Sequence, residues 1–421
     1  MGTFFSDPLH DEFGSWILGF VPYGGGTVGE LAEIAGQVTA GDDGSFYEAF
    51  SAFADRLLDE ADRAAEAGHD RTAHECSLRA AALLGVAYHP LFGTPVDPRL
   101  LDAFRRQQDA FARAMALAVP AGEPVDVPYE GTTLPAWFVR TPLAPDERRP
   151  TVLVGGGWDS TLVENHLGIG VAALRRGYHV LLHDGPGQGR LLFEEGRPLR
   201  HDWEAVVTPV VDAALGLDGV DGDRLVYWPW SLGGYMAPRV AAHEPRLAAV
   251  VCDPGQTDMG AKLVNGLRMM GMTDEQVAAL PAMDPEFEKG ALAIIDSDRS
   301  LHWSLIQRGT WANGAAGPDD LQGFVAEMLR WRLDDDTLAA ITTPMLVMSA
   351  DDDRASGDAQ HLYDVLTCPK ARFHFTAAMG ANMHCEMLNR PLANRVALDW
   401  LDDILGTPRA ATGQRDVSRR G

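Results

Sequence analysis

The feature that most constrains this 421-residue chain is a serine set between a strand pattern and a helix pattern, in Tyr227-Trp228-Pro229-Trp230-Ser231-Leu232-Gly233-Gly234-Tyr235. Residues 224–228 read as a short buried strand, and residues 236–243 carry apolar positions at helical spacing. A serine at such a junction must turn the chain sharply. The turn lifts its hydroxyl above the sheet edge and aims the first amides of the next helix at whatever the oxygen attacks. The usual pattern is G-x-S-x-G; here Pro229 stands for the first glycine, while Gly233 and Gly234 keep the side where helix and strand must approach. Pro229 fixes one backbone angle and has no N–H. The bland alternative is a serine N-cap between packing glycines.

Such a turn needs a sheet. Strand patterns at 125–129, 134–140, 151–154, 178–182, 224–228, 248–252, 345–348 and 372–375 supply one, and from 151 onward they alternate with helix patterns at 162–176, 203–215, 236–243, 359–366 and 392–405. That alternation predicts an α/β fold, a mostly parallel, doubly wound sheet whose active site lies beyond the carboxyl ends of its strands. Ahead of it, residues 28–117 read as helices without a fixed repeat period. The expected organisation is an N-terminal helical, cap-like domain over 1–120, then an α/β domain over 121–405 with a helical insertion at about 256–340, then a disordered tail over 406–421.

A serine hydroxyl is a poor nucleophile unless a base takes its proton and a carboxylate orients that base. Both follow in the chain order serine, acid, histidine. The strand at 345–348 runs into Asp351-Asp352-Asp353, and the strand at 372–375 into Gly380-Ala381-Asn382-Met383-His384-Cys385-Glu386. The expected triad is Ser231, Asp352 and His384, with Asp353 the next choice of acid and Asp351 the last. The oxyanion needs two preorganised N–H donors. Leu232, after the serine, supplies one, and Trp158, preferred to Gly157 in Gly155-Gly156-Gly157-Trp158-Asp159-Ser160, supplies the other. Gly157, Arg190, Trp230, Tyr235, His302, Trp303 and Met383 are candidate pocket residues. For His302 and Trp303, in the insertion, a buried structural role is the alternative.

The loop Asp184-Gly185-Pro186-Gly187-Gln188-Gly189-Arg190 reads G-x-G-x-G rather than G-x-G-x-x-G, so no dinucleotide and no other cofactor is expected. A formal net charge of -25 argues against nucleic acid or an anionic membrane as partner and favours a neutral or apolar small molecule. Cys76, Cys252, Cys368 and Cys385 have no C-x-x-C spacing and read as free thiols, with no metal site. No stretch is apolar for long enough to span a bilayer and residues 1–12 have no leader pattern, so a cytoplasmic location is expected, although residues 1–6 match a myristoylation pattern.

With these motifs the sequence resembles the α/β-hydrolase superfamily over 124–405. More narrowly it is similar to the branch with an N-terminal helical domain that holds 2,6-dihydroxypseudooxynicotine hydrolase, fungal polyketide-shortening hydrolases and fermentation-respiration-switch-type esterases. The resemblance rests on Gly155 to Ser160, Asp184 to Gly189, Ser231-Leu232-Gly233-Gly234 and Gly380 to Glu386. It implies the same triad, a site between the two domains, a homodimer, and cleavage of an ester or of a carbon–carbon bond next to a ketone. Two other readings stay open: an acyl-transfer or lactonising enzyme, and a non-catalytic binding protein with a degenerate elbow.

Overall fold

The computed structural model describes residues 4–406. Gly2 of the acylation pattern and the tail over 407–421 lie outside the described residues. Five helices precede the sheet: α1 (Pro8–Phe20), α2 (Val28–Ala35), α3 (Asp43–Glu66), α4 (Asp70–Ala87) and α5 (Pro98–Leu117). Their starts follow from capping chemistry. Asp7 accepts from the His10 amide at 3.0 Å, Thr27 from Glu30 at 3.1 Å, and Asp97 from Arg99 at 2.8 Å, with Pro8 and Pro98 opening their helices. The sequence reading began its helices at 28 and passed over α1. In α4 every residue from Ala80 to Ala87 is buried. Its small side chains let it lie deep between its neighbours: a Cβ on Gly85 would stand 2.2 Å from Glu164 Oε1 and 2.4 Å from Gln107 Nε2.

The sheet has eight strands: β1 (Glu123–Tyr129), β2 (Thr132–Val139), β3 (Arg149–Gly155), β4 (His179–His183), β5 (Val220–Tyr227), β6 (Ala249–Cys252), β7 (Met345–Ala350) and β8 (Lys370–Phe375). Their order is β1-β2-β4-β3-β5-β6-β7-β8. β1 and β2 form a hairpin through Glu130 and Gly131, both at positive φ, as a tight two-residue turn requires. β2 runs antiparallel to β4, and β4, β3 and β5 to β8 are mutually parallel. β4, β6 and β7 are buried along their whole length, as strands covered on both faces must be, whereas β8, at the edge, is largely uncovered.

Between β6 and β7 the chain makes further helices, among them Met259–Met269, Pro285–Asp296, His302–Thr310 and Leu321–Met328. Trp303 ties this insertion to the N-terminal helices. Its ring lies 4.7 Å from that of Phe13 and 5.7 Å from that of Phe92, and its Nε1 donates to the His89 carbonyl at 2.7 Å. The buried apolar side chains of helices, insertion and sheet form one continuous cluster. Among the described residues no helix is long and apolar enough to cross a membrane.

The helix Gly233–His243 begins hard against the loop after β6. A Cβ on Gly234 would fall 1.6 Å from the Pro254 carbonyl oxygen, which is backbone and has no rotamer to move. Gly234→Ala is therefore expected to destabilise the protein by about 3 kcal/mol or more, read as a lowered denaturation midpoint in urea.

Candidate active site

Ser231 sits between β5 and the helix Gly233–His243 with φ +61°, a left-handed conformation that a non-glycine residue adopts only when its surroundings enforce it. They do so from both sides. Its N–H donates to the Asp253 carbonyl at 2.7 Å, and its carbonyl accepts from Gln256 Nε2 at 2.6 Å. Pro229 is tolerated because the space it needs comes from the other side of the turn. A Cβ on Gly233 would stand 2.5 Å from that of Pro229.

The hydroxyl of Ser231 lies 2.9 Å from His384 Nε2, and His384 Nδ1 lies 2.9 Å from Asp353 Oδ1. The acid facing the imidazole is Asp353 and not the expected Asp352. The three aspartates leave β7 in different directions. Asp351 turns to the sheet edge, where it accepts from His374 Nε2 at 2.8 Å and from the Ala377 amide at 2.9 Å. Asp352 is exposed; its carboxylate accepts from Asn382 Nδ2 and its amide donates to the Asn382 carbonyl at 2.9 Å. Asp353 alone turns inward, where its carboxylate, 1% exposed, also accepts from the Ala355 amide at 2.8 Å.

Burial would raise the Asp353 pKa, but the His384 charge and the hydrogen bonds from His384, Ala355 and Cys385 outweigh it and hold the carboxyl below its ordinary range. For His384, burial works against the charged ring, yet the Cys385 sulfur and the Asp353 carboxylate together lift its pKa well above the usual histidine value. Burial pushes the Cys385 thiol up to about 12, so it is neutral near pH 7 and Asp353 is the charge that matters.

Behind the histidine lies a network that sequence reasoning missed. Arg390, fully buried, donates to Asp253 at 2.8 Å and to the Cys385 carbonyl at 2.6 Å, and its guanidinium lies 5.2 Å from the centroid of Trp230. It links the elbow to the histidine turn, in which Cys385 and Glu386 both have positive φ. The only sequence signal is that Asp253 directly follows β6 and Arg390 follows the histidine motif.

Facing Ser231 is the loop after β3. A Cβ on Gly157 would lie 2.5 Å from Ser231 Cβ and 2.6 Å from the Trp230 carbonyl, so only glycine permits this approach. The Gly157 amide donates to Ser160 Oγ at 3.1 Å. The amides of Trp158 and Leu232 have no acceptor among the described residues and are free to serve an oxyanion. Gln188 braces this loop, donating to the Gly157 carbonyl at 2.6 Å and accepting from the Gly185 amide at 2.8 Å. That is the use of the Asp184 to Gly189 motif.

No family model matches the sequence. A curated protein named Hydrolase LUC6, from a Fusarium species, is 30% identical over 93% of this chain and 96% of its own. The chain belongs to the α/β-hydrolase family. The 20-hydroxy-prefusarin hydrolase FUS2 of Gibberella moniliformis is 36% identical over 61% of this chain and 62% of its own. Among solved structures, the 2,6-dihydroxy-pseudo-oxynicotine hydrolase superposes with a TM-score of 0.70 at 20% identity, covering 93% of this chain and 97% of that one. AbyA5 superposes at 0.65 and 17% identity, covering 94% of each. At these identities both show the fold.

Within this α/β-hydrolase the expected pocket residues separate. Gly157 touches the serine, and Met383, beside His384, is 45% exposed at the site. The others lie elsewhere. Trp230 is buried, and its indole donates to Asn165 Oδ1 at 2.9 Å. Tyr235 is buried against Trp331, with ring centroids 5.2 Å apart. Trp303 is the joint described above. His302 pairs with Asp296 at 2.8 Å on the outer surface. Arg190 donates to the Thr133 carbonyl at 2.6 Å and lines a separate cleft of about 290 Å³ with Phe104 and Asp184. Large side chains next to a catalytic motif serve the core as readily as the pocket, and residue type alone does not say which.

Proposed function

We propose that this hydrolase is a cofactor-free serine enzyme that cleaves an ester, or a carbon–carbon bond next to a ketone, in a small apolar, aromatic or polyketide-like substrate. One observation carries the reading: Ser231 Oγ, the His384 ring and the Asp353 carboxylate form an unbroken relay at 2.9 Å per step, beside two amides with no other acceptor. His384 takes the hydroxyl proton as Oγ attacks the carbonyl carbon. The negative oxygen forms between the N–H groups of Leu232 and Trp158, and Asp353 holds the imidazole in the required tautomer. Water then releases the acyl group from Ser231 by the same steps in reverse.

The neutral, apolar substrate class fits a chain of net charge -25 and rests also on the relative named for 20-hydroxy-prefusarin. The four cysteines are free and buried, which fits a reducing compartment such as the cytoplasm. The helices before residue 120 act as the cap, and a homodimer is part of the same proposal, tested by light scattering. The deciding experiment is labelling with a fluorophosphonate probe. Labelling of the wild type and its loss in Ser231→Ala is the expected result; an unlabelled wild type overturns the reading. Turnover of aryl esters against 1,3-diketones then separates the two bond types.

A further inference from the structure

The insertion between β6 and β7 reaches back to the catalytic loops through one lysine. Its helix Met259–Met269 starts where Asp258 accepts from the Ala261 amide at 2.7 Å, and Lys262 lies one turn in. The Lys262 ammonium stands 2.8 Å from the Ala355 carbonyl, 3.3 Å from Gln256 Oε1 and 3.5 Å from Asp358 Oδ2. An ammonium has three protons, and here each has an acceptor. Asp358 Oδ2 also accepts from the amides of Thr257 at 3.2 Å and Asp258 at 3.3 Å, so the chain before the helix and the chain after Asp353 are held face to face. Burial pulls the Lys262 pKa below the usual lysine value, against the opposing carboxylates of Asp358, Asp353 and Asp258.

Two of these contacts lead to the reacting groups. Gln256, which is buried, donates from Nε2 to the Ser231 carbonyl at 2.6 Å. That carbonyl shares a planar trans peptide with the Leu232 N–H, so fixing the oxygen fixes the direction of the amide on the opposite side. A glutamine side chain can present either end. Reversed, Gln256 would set its oxygen against the Ser231 carbonyl and its NH₂ against the ammonium, so Lys262 decides which end faces the elbow. The second contact works on the acid. The Ala355 N–H donates to Asp353 Oδ1 at 2.8 Å while the Ala355 carbonyl accepts from Lys262, which holds this residue on both sides.

We propose that Lys262 is a positioning residue of this hydrolase: through Gln256 it aims the Leu232 amide at the oxyanion, and through Ala355 it seats Asp353 against His384. The proposal rests on the serine mechanism above. The lysine bonds to neither the serine hydroxyl, nor the imidazole, nor the Asp353 carboxylate. It therefore acts on the step in which charge appears on the carbonyl oxygen, and not on the binding of the compound attacked. The insertion thereby becomes part of the catalytic frame.

The test follows the rate of fluorophosphonate labelling over a range of probe concentrations. The maximal rate reports the attack by Ser231, and the half-saturating concentration reports binding. Lys262→Met is expected to lower the maximal rate about 30-fold and to change the half-saturating concentration by less than about 3-fold. Gln256→Met should show a loss of the same order, and the double variant should fall within about 3-fold of the slower single one, because both break one chain of contacts. Treating Lys262→Cys with 2-bromoethylamine restores an ammonium at the same chain length and should recover most of the rate. The wild type under the same treatment, with its four cysteines buried, is the control. An unchanged maximal rate in Lys262→Met, additive losses in the double variant, or no recovery on alkylation overturns the proposal. So does a wild-type rate in Gln256→Met, which decides the matter even where Lys262→Met fails to fold. A wild type that is not labelled at all defeats the serine mechanism, whereas a labelled wild type with an unchanged Lys262→Met defeats this proposal alone.

Discussion

Ser231→Ala is expected to lower kcat/KM by about 10⁴-fold or more, and His384→Ala by a similar factor. The double variant should be little worse than either single one, because an unactivated hydroxyl and a base without a nucleophile are equally useless. Stability should hardly change in Ser231→Ala. The hydroxyl bonds only to His384, while the strained turn is held by main-chain bonds through Asp253 and by Gln256, all of which alanine keeps. Unchanged urea midpoints alongside the lost activity would separate chemistry from folding. Retained turnover in Ser231→Ala would mean that another group attacks the substrate.

Asp353→Asn is expected to cost about 10⁴-fold in kcat/KM, while Asp352→Asn should stay within about 3-fold. Asp353 Oδ1 accepts from the Ala355 amide at 2.8 Å and faces His384 Nδ1 at 2.9 Å, while Oδ2 faces the Cys385 amide at 3.4 Å, so asparagine must turn its NH₂ toward one of these donors and in either orientation loses the charge that favours the imidazolium. Asp352 meets only Asn382 at the surface, so the substitution there exchanges one exposed hydrogen bond for another. The pH profile adds a second readout. His384 must be neutral to act as base, and its pKa stands above the ordinary 6.5, so the acid limb of wild-type kcat/KM should lie above that pH. Removing the Asp353 carboxylate removes one of the two groups that raised it, and the limb of the residual activity should move to lower pH. Asp353 also has a depressed pKa, so its share of folding stability is complete at neutral pH and is lost as pH falls through its folded-state value. An unshifted limb in Asp353→Asn would assign the acid role elsewhere.

The parallel sheet was legible because strands buried on both faces must be continuously apolar, as the stretches around Val152, Val180, Val250 and Val347 are. The histidine motif was legible because it follows the last strand. Helix α1 was missed although Asp7 and Pro8 carry a helix-start signature, and with it went the contact of Gly19 with the Met387 carbonyl that seats the helix beside the histidine turn. Asp352 was preferred to Asp353 because three adjacent carboxylates look alike in one dimension. They differ only in where the backbone aims each one as it leaves β7.

The one-dimensional pattern determined the alternation of strands and helices, the order serine, acid loop, histidine, and the glycines that let the elbow and the loop after β3 come close. Those are local properties, set by side-chain volume, backbone freedom and hydrophobic period. Which aspartate meets the imidazole, which tryptophans serve the core, and how Arg390 and Asp253 brace the elbow were decided by the tertiary structure. Each depends on a direction in space between segments far apart in the chain, and that direction exists only once the sheet has twisted and the helices have packed against it.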